Sequence, residues 1–241
     1  MKSIKKNSII IALIFALFVS ILVPCHVFAG DTKTVSLQGT YKQTSARKML
    51  TMINNFRTGD DSWQYDEKGN KEVIIGLKKL KYDYGLEKLA MRRAMEIAVQ
   101  FSHTRPAGGE VYGMSIHVFG ENIGYGYGMY QTTKEIFEGF KETGEKYPGQ
   151  GHRRNMLRKD ITALGIAHLK INGYDFWVQE FGESTGVKKT KALDGAGKCR
   201  VTVMSDTITG YGKVKKKKTI KLSTSVVSSG IPLYTSTKGK K

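Results

Sequence analysis

Apolar residues recur along the chain in two rhythms, and the change between them predicts helices first and a β-rich region afterwards. From Ser45 onward, Ala46, Met49, Leu50, Ile53 and Phe56 or Arg57 follow at three- and four-residue steps, a first amphipathic helix that Ser45 is placed to cap. Gly59-Asp60-Asp61-Ser62 breaks it, and a turn-rich stretch from Tyr65 to Asn70 leads into a mixed segment reaching Tyr84. The clearest helix runs from about Leu86 to Phe101, with Leu86, Leu89, Ala90, Ala94, Ile97, Ala98 and Phe101 on one stripe and Glu87, Lys88, Arg92 and Glu96 off it. Thr132 and Glu135 form a capping box for a short helix carrying Ile136, Phe137 and Phe140. Two β-rich runs, Leu164 to Ile171 and Tyr174 to Phe181, flank Asn172-Gly173, whose residues tolerate the positive φ of a tight hairpin turn. Helices packed on an antiparallel sheet make the fold class α+β.

The ends of the chain read differently. Met1-Lys2-Ser3-Ile4-Lys5-Lys6, an apolar run from Ile9 to Val23, and Val27-Phe28-Ala29 read as a secretory signal peptide over residues 1–29, cleaved after Ala29. The run is short for a membrane span, and Pro24 and His26 interrupt its end, so no span is expected after cleavage. Pro24 before Cys25 argues against lipidation. Cleavage would leave Cys199 as the single cysteine and exclude an intramolecular disulfide. Residues 30–44 are polar with no sustained pattern and are expected to be a flexible lead-in to a domain over 45–186. Residues 187–241 are expected to be a basic extension, a small β-rich appendage or a disordered tail, with strand-like alternation at Cys199 to Met204 and Thr219 to Ser225.

Charge sharpens this division. Of the formal net charge of +18, Lys2, Lys5 and Lys6 carry +3 and residues 187–241, with 13 Lys, one Arg and two Asp, carry +12, which leaves +3 for residues 30–186. The basic character belongs to the tail. For an exported chain the reachable polyanions are cell-wall polymers, anionic lipid headgroups and host glycans, and nucleic acid is not an expected partner.

Three marked stretches carry the candidate chemistry: Phe101-Ser102-His103-Thr104-Arg105-Pro106, Gly120-Glu121-Asn122-Ile123, and Gly151-His152-Arg153-Arg154-Asn155-Met156-Leu157. Two imidazoles and a carboxylate converging on a cleft can hold Zn²⁺ or another divalent ion, or do general acid/base work. Neither spacing is diagnostic, and no His-Glu-x-x-His helix is present. His117, four residues before Glu121, and His168, on the first hairpin strand, read as incidental or packed histidines. Ser102 lacks the surroundings of a nucleophile. Cys199 lies between Lys198 and Arg200, whose charges would lower its pKa; the plain reading is an ordinary small residue in a β segment.

In order and separation these stretches, closed by Trp177-Val178-Gln179-Glu180-Phe181-Gly182, resemble the CAP superfamily of cysteine-rich secretory, antigen and pathogenesis-related proteins, in its bacterial branch. The resemblance covers roughly residues 45 to 183 and implies a three-layer α-β-α sandwich. It also implies a cleft of two histidines and two acids that binds a divalent metal in some members. His103, Glu121 and His152 match three of the four. The fourth departs: counting from Phe140 reaches Thr143, and Glu142 is the substitute, although on a helix it would point about 100° away. Asn122, Arg153 and Asn155 are read as supports of the cleft wall, and Tyr125 and Tyr127, in a glycine-tyrosine loop, as its rim. The function implied is extracellular recognition of a ligand or partner without turnover, with the tail on an anionic cell-wall polymer. A metal-dependent hydrolase and a lipid or sterol carrier are the alternatives.

Overall fold

The structure, a computed structural model, describes residues 32–204, 220–226 and 232–236. Residues 1–29, expected to be a signal peptide, and the lysine-rich stretches at 215–218 and 238–241 lie outside the described residues. In chain order the elements are β1 (Thr32–Lys42), α1 (Gln43–Arg47), α2 (Met49–Thr58), β2 (Trp63–Tyr65), β3 (Lys71–Val73), β4 (Lys81–Tyr82), α3 (Tyr84–Ile97), β5 (Val118–Tyr127), α4 (Thr133–Lys141), α5 (Gly151–Leu157), β6 (Ala163–Ile171), β7 (Tyr174–Gly182), β8 (Asp194–Met204), β9 (Ile220–Val226) and β10 (Pro232–Ser236).

The hairpin of β6 and β7 is the centre of the sheet. Asn172 and Gly173 take φ of 48° and 83°, the left-handed pair the turn demands, and nine residue pairs follow in antiparallel register from Ile171–Tyr174 to Ala163–Gly182. β5 adds antiparallel to β7 and forms the edge, while β1 adds to β6 through Thr40–Lys170 and Tyr41–Leu169. Both faces are covered. Ala90, Ala94 and Ile97 of α3, with Ala98 just after it, pack on Ala167, Leu169, Phe176 and Val178; on the opposite face Met49, Ile53, Phe137, Phe140 and Met156 pack on Leu164, Ile166, Trp177 and Phe181. This alternation of β6 and β7 between two cores is the three-layer α-β-α sandwich. At Gly165 an added Cβ would lie 2.1 Å from the backbone nitrogen of Glu87, so only glycine lets α3 approach β6 this closely.

Several expectations are corrected. Residues 32–42 are a strand: Val35, Leu37 and Tyr41 face the α3 core while Thr34, Ser36, Gln38 and Thr40 alternate outward, a period-two pattern inside a polar composition. Its partner is β8, eleven pairs in antiparallel register from Thr32–Met204 to Lys42–Asp194, and β9 and β10 extend the same sheet. The glycine-tyrosine stretch is the second half of β5, not a loop. The first helix divides at Lys48, and Ser45 caps nothing; its hydroxyl meets that of Thr133 at 2.9 Å. Along α3, Glu87 and Glu96 are buried, held by Arg47 and by Arg93 and Arg105. The capping box of Thr132 and Glu135 forms as expected, and Asp83 caps α3 through the amides of Gly85 and Leu86.

Candidate functional site

The marked residues gather along β5, the edge strand of the sheet. His103 follows α3 on one side; His152 stands in the first turn of α5 on the other. His103, Glu121, Glu142 and His152 line one open cavity of about 400 Å³ with Asn155 and Arg154. Each imidazole is held by a carboxylate: His103 Nδ1 lies 2.8 Å from Glu121 Oε1, and His152 Nδ1 lies 2.6 Å from Glu142 Oε1. The rings are reachable and the first carboxylate is not, since the His103 side chain is 55% exposed, His152 32% and Glu121 1%. With Nδ1 committed to a carboxylate, the Nε2 atoms are the ones left for a ligand.

Glu142 reaches His152 because it is not helical. α4 ends at Lys141, and Glu142 takes the left-handed conformation at φ 47°, so the helical angle that argued against it does not apply. Its second oxygen accepts from the amides of His152 at 2.9 Å and Arg153 at 3.2 Å, which caps α5. Gln150, fully buried, ties Glu142 to β2 by donating to the Glu142 carbonyl and accepting from the Tyr65 amide.

Beneath His103 lies a buried charge network. Arg93 is fully buried and donates to both oxygens of Glu121, at 2.6 and 3.2 Å, to Glu96 at 3.0 Å, and to the carbonyls of Ser102 and His103. Burial penalises the Glu121 charge, and the bonds from His103 and Arg93 outweigh it, holding its pKa below the ordinary glutamate value. Glu180 stands directly opposite Glu121 across β5 and β7. It is fully buried, and neither carboxyl oxygen finds a hydrogen-bond partner among the described residues. Burial and the Glu121 charge push its pKa well above the ordinary value, so Glu180 is protonated where Glu121 is not. Ionisation of Glu180 is penalised in the folded state alone, so the contribution of Glu180 to stability falls as pH rises above about 4.3 toward its raised folded pKa. Glu180→Gln removes that penalty. Its melting temperature is expected to exceed wild type at pH 7 to 8, with the gap closing at about pH 4 in a calorimetric series.

The supports sit where polar groups at the strand edge need partners. Asn122 donates to Gln179 Oε1 and to the His152 carbonyl, and Asn155 donates to Asn122 Oδ1 and to the Glu121 carbonyl. Arg153 is fully buried between Phe56 and Trp63 and donates to the carbonyls of Asp61, Trp63 and Lys141. Tyr125 is half-buried against Phe101, and Tyr127 is 66% exposed. His117 pairs with Glu183, outside the cleft. His168 is fully buried, stacked on Trp177 and bonded to Asp175 at 2.7 Å. Burial raises the Cys199 thiol pKa, opposite to the lowering its basic neighbours suggested. Arg93 and Glu180 were not read as site residues, yet Arg93 falls four before Ile97 and three after Ala90, on the apolar stripe of α3, a placement that marks a charge destined for burial.

Among the described residues no three His, Cys, Asp or Glu groups converge to hold a metal ion. The Nε2 atoms of His103 and His152 are the donors that could hold a divalent ion with water completing its shell, and two imidazoles do not make a closed structural zinc site with four protein ligands.

A helix-sheet-helix sandwich with two carboxylate-held histidines at its sheet edge defines the class of protein, and the sequence carries it to a family. Residues 50–181, more than half of the chain, match the cysteine-rich secretory protein family, CAP. The chain belongs to this family, whose members are typically secreted or extracellular. Among solved structures it is similar to NaASP2 with Zn²⁺ (21% identity over 66% of this chain and 88% of that one, TM-score 0.45). It is also similar to an outer surface protein from Borrelia burgdorferi (16%, 60% and 98%, 0.43) and to hookworm platelet inhibitor (16%, 61% and 74%, 0.38). No curated protein sequence matches. Among the described residues no helix is long and apolar enough to cross a membrane.

Proposed function

We propose that this is a secreted, bacterial-type CAP protein that recognises a ligand or partner outside the cell through the His103/His152 cleft, and that its basic C-terminal residues hold it on an anionic cell-wall polymer. The observation that carries the reading is the paired arrangement of the cleft, each imidazole oriented by a carboxylate with its Nε2 left for a ligand. Binding is favoured over turnover because both glutamates are engaged. Glu121 accepts from Arg93 and His103, and Glu142 accepts from His152 and two amides, so neither carboxylate stands free as a general base. A divalent ion on the two Nε2 atoms would leave open positions for oxygen atoms of a ligand.

Retention tests the tail. Because β8 pairs with β1 along its whole length, a deletion that begins at 187 would remove that strand, whereas removing 205–241 keeps β8 and takes only β9, which meets β1 at Val35–Ile220 and Ser36–Lys221, and β10. The full chain is expected to sediment with purified anionic wall polymer at low salt and to leave it as ionic strength rises and the screening length shrinks below about 8 Å. The 205–241 deletion is expected to stay in solution while His103→Ala, His152→Ala is retained like wild type. Equal retention of the truncated form would refute the role of the tail.

A further inference from the structure

Beside the histidine cleft, and sharing Glu142 and His152 with it, lies a second cavity of about 490 Å³ whose lining differs in kind. Four aromatic residues, Phe101, Tyr125, Tyr130 and Phe140, line it together with Glu142 and Glu145. Among the described residues no Lys or Arg lines it, in a chain whose formal charge is +18. Phe101 packs on Tyr125 at 4.4 Å and 57°, Tyr125 also stacks on Phe176 at 6.0 Å and 16°, and Phe140 meets His152 at 4.7 Å and 50°.

The pocket is held in shape at a cost. Three non-glycine residues among those described have positive φ; Asn172 belongs to the hairpin turn, and the other two, Tyr130 at 55° and Glu142 at 47°, both line this cavity. Such conformations persist where the surroundings enforce them. Trp177 does so for Tyr130 by donating its indole N–H to the Tyr130 carbonyl at 2.7 Å, and the Gln150 amide reaches the Glu142 carbonyl at 3.4 Å. Gly124 clears the floor, because a Cβ there would stand 2.8 Å from Ile136 and 3.1 Å from Phe140.

We infer that this cavity binds an alkylated ammonium group, such as trimethylammonium. Aromatic rings attract a cation, and the Glu145 carboxylate supplies charge with no Lys or Arg at the wall, Glu142 being engaged by His152 and two amides of α5. An ammonium clothed in methyl groups loses little hydration on entering such a lining, whereas a bare primary ammonium is strongly hydrated and needs several acceptors in fixed places. The inference deepens the recognition reading by naming a ligand class, yet it stands on other residues: Tyr125 and Glu145 line this cavity alone, and His103 lines the cleft alone.

The test is a titration of the full protein with choline, followed by NMR, against its uncharged isostere 3,3-dimethylbutan-1-ol. Choline is expected to bind saturably and at least about tenfold tighter than the alcohol, which corresponds to about 1.4 kcal/mol. Tyr125→Leu, which keeps the apolar volume and removes the π face, and Glu145→Gln are each expected to weaken choline several-fold; His103→Ala is expected to leave it unchanged. Vesicles with trimethylammonium headgroups, compared with vesicles bearing primary amines, separate a lipid source from a free one: preferential binding of the former assigns the headgroup, and binding of choline alone assigns the small cation. Equal affinity for choline and the alcohol, no saturable choline binding, or no effect of Tyr125→Leu and Glu145→Gln overturns the inference. Loss of Zn²⁺ binding in His103→Ala with choline binding intact would bear on the cleft alone.

Discussion

Arg93→Ala is expected to cost about 3–5 kcal/mol of stability, the range for removing one partner from a buried ion pair and leaving the other uncompensated. The cost is large because four carboxyl and carbonyl partners lose a single donor. Glu121 and Glu96 would remain buried with fewer bonds, beside a Glu180 that already resists ionisation. The destabilisation should therefore depend on pH. Without Arg93 the folded pKa values of Glu121 and Glu96 rise, so the variant loses more stability as pH rises and approaches wild type as pH falls toward about 4. Denaturant titrations of both proteins at pH 4.5 and 7.5 measure this; a difference that is equal at the two pH values would show that Arg93 acts by packing alone. His103 would also lose its anchor, since Arg93 binds the carbonyls of Ser102 and His103 as well as the carboxylate that orients the ring.

Trp177→Ala is expected to cost about 3–5 kcal/mol by the lost burial and the cavity left behind. Trp177 is fully buried on β7, stacks on His168 at 3.7 Å and 14°, and bonds the Tyr130 carbonyl. Trp177→Phe separates the two contributions. It keeps much of the packing and deletes the indole donor, so it should cost less while freeing Tyr130 from its left-handed conformation. Chemical denaturation gives the costs; a Phe variant as unstable as the Ala variant would place the whole effect in the hydrogen bond and contradict the packing account.

The sequence showed most where a local rule decides the outcome. Asn172-Gly173, the Thr132 and Glu135 box, and the periodic stripe of α3 each predicted an element from its own residues, and the structure has all three. It showed least where partners are remote. β1 alternates from Val35 to Tyr41 but is too polar to be read alone, and its pairing is completed by β8, more than 150 residues later, of which only the Cys199–Met204 end alternates legibly. The gathering of His103, Glu121 and His152 in one cavity followed the marked stretches. Glu142 could not be fixed by counting, because a left-handed residue past the end of α4 directs its side chain outside helical geometry. Arg93 and Glu180 were hidden for the opposite reason: burial of a charge is a property of the assembled layers, and only the placement of Arg93 on an apolar stripe announced it.

That His103 and His152 form one site through their Nε2 atoms is tested most directly by calorimetric titration of the purified protein with Zn²⁺ at neutral pH, alongside His103→Ala and His152→Ala. A single saturable binding event in wild type, lost in both variants, is the predicted result. Absence of saturable binding, or binding that survives either substitution, would contradict it.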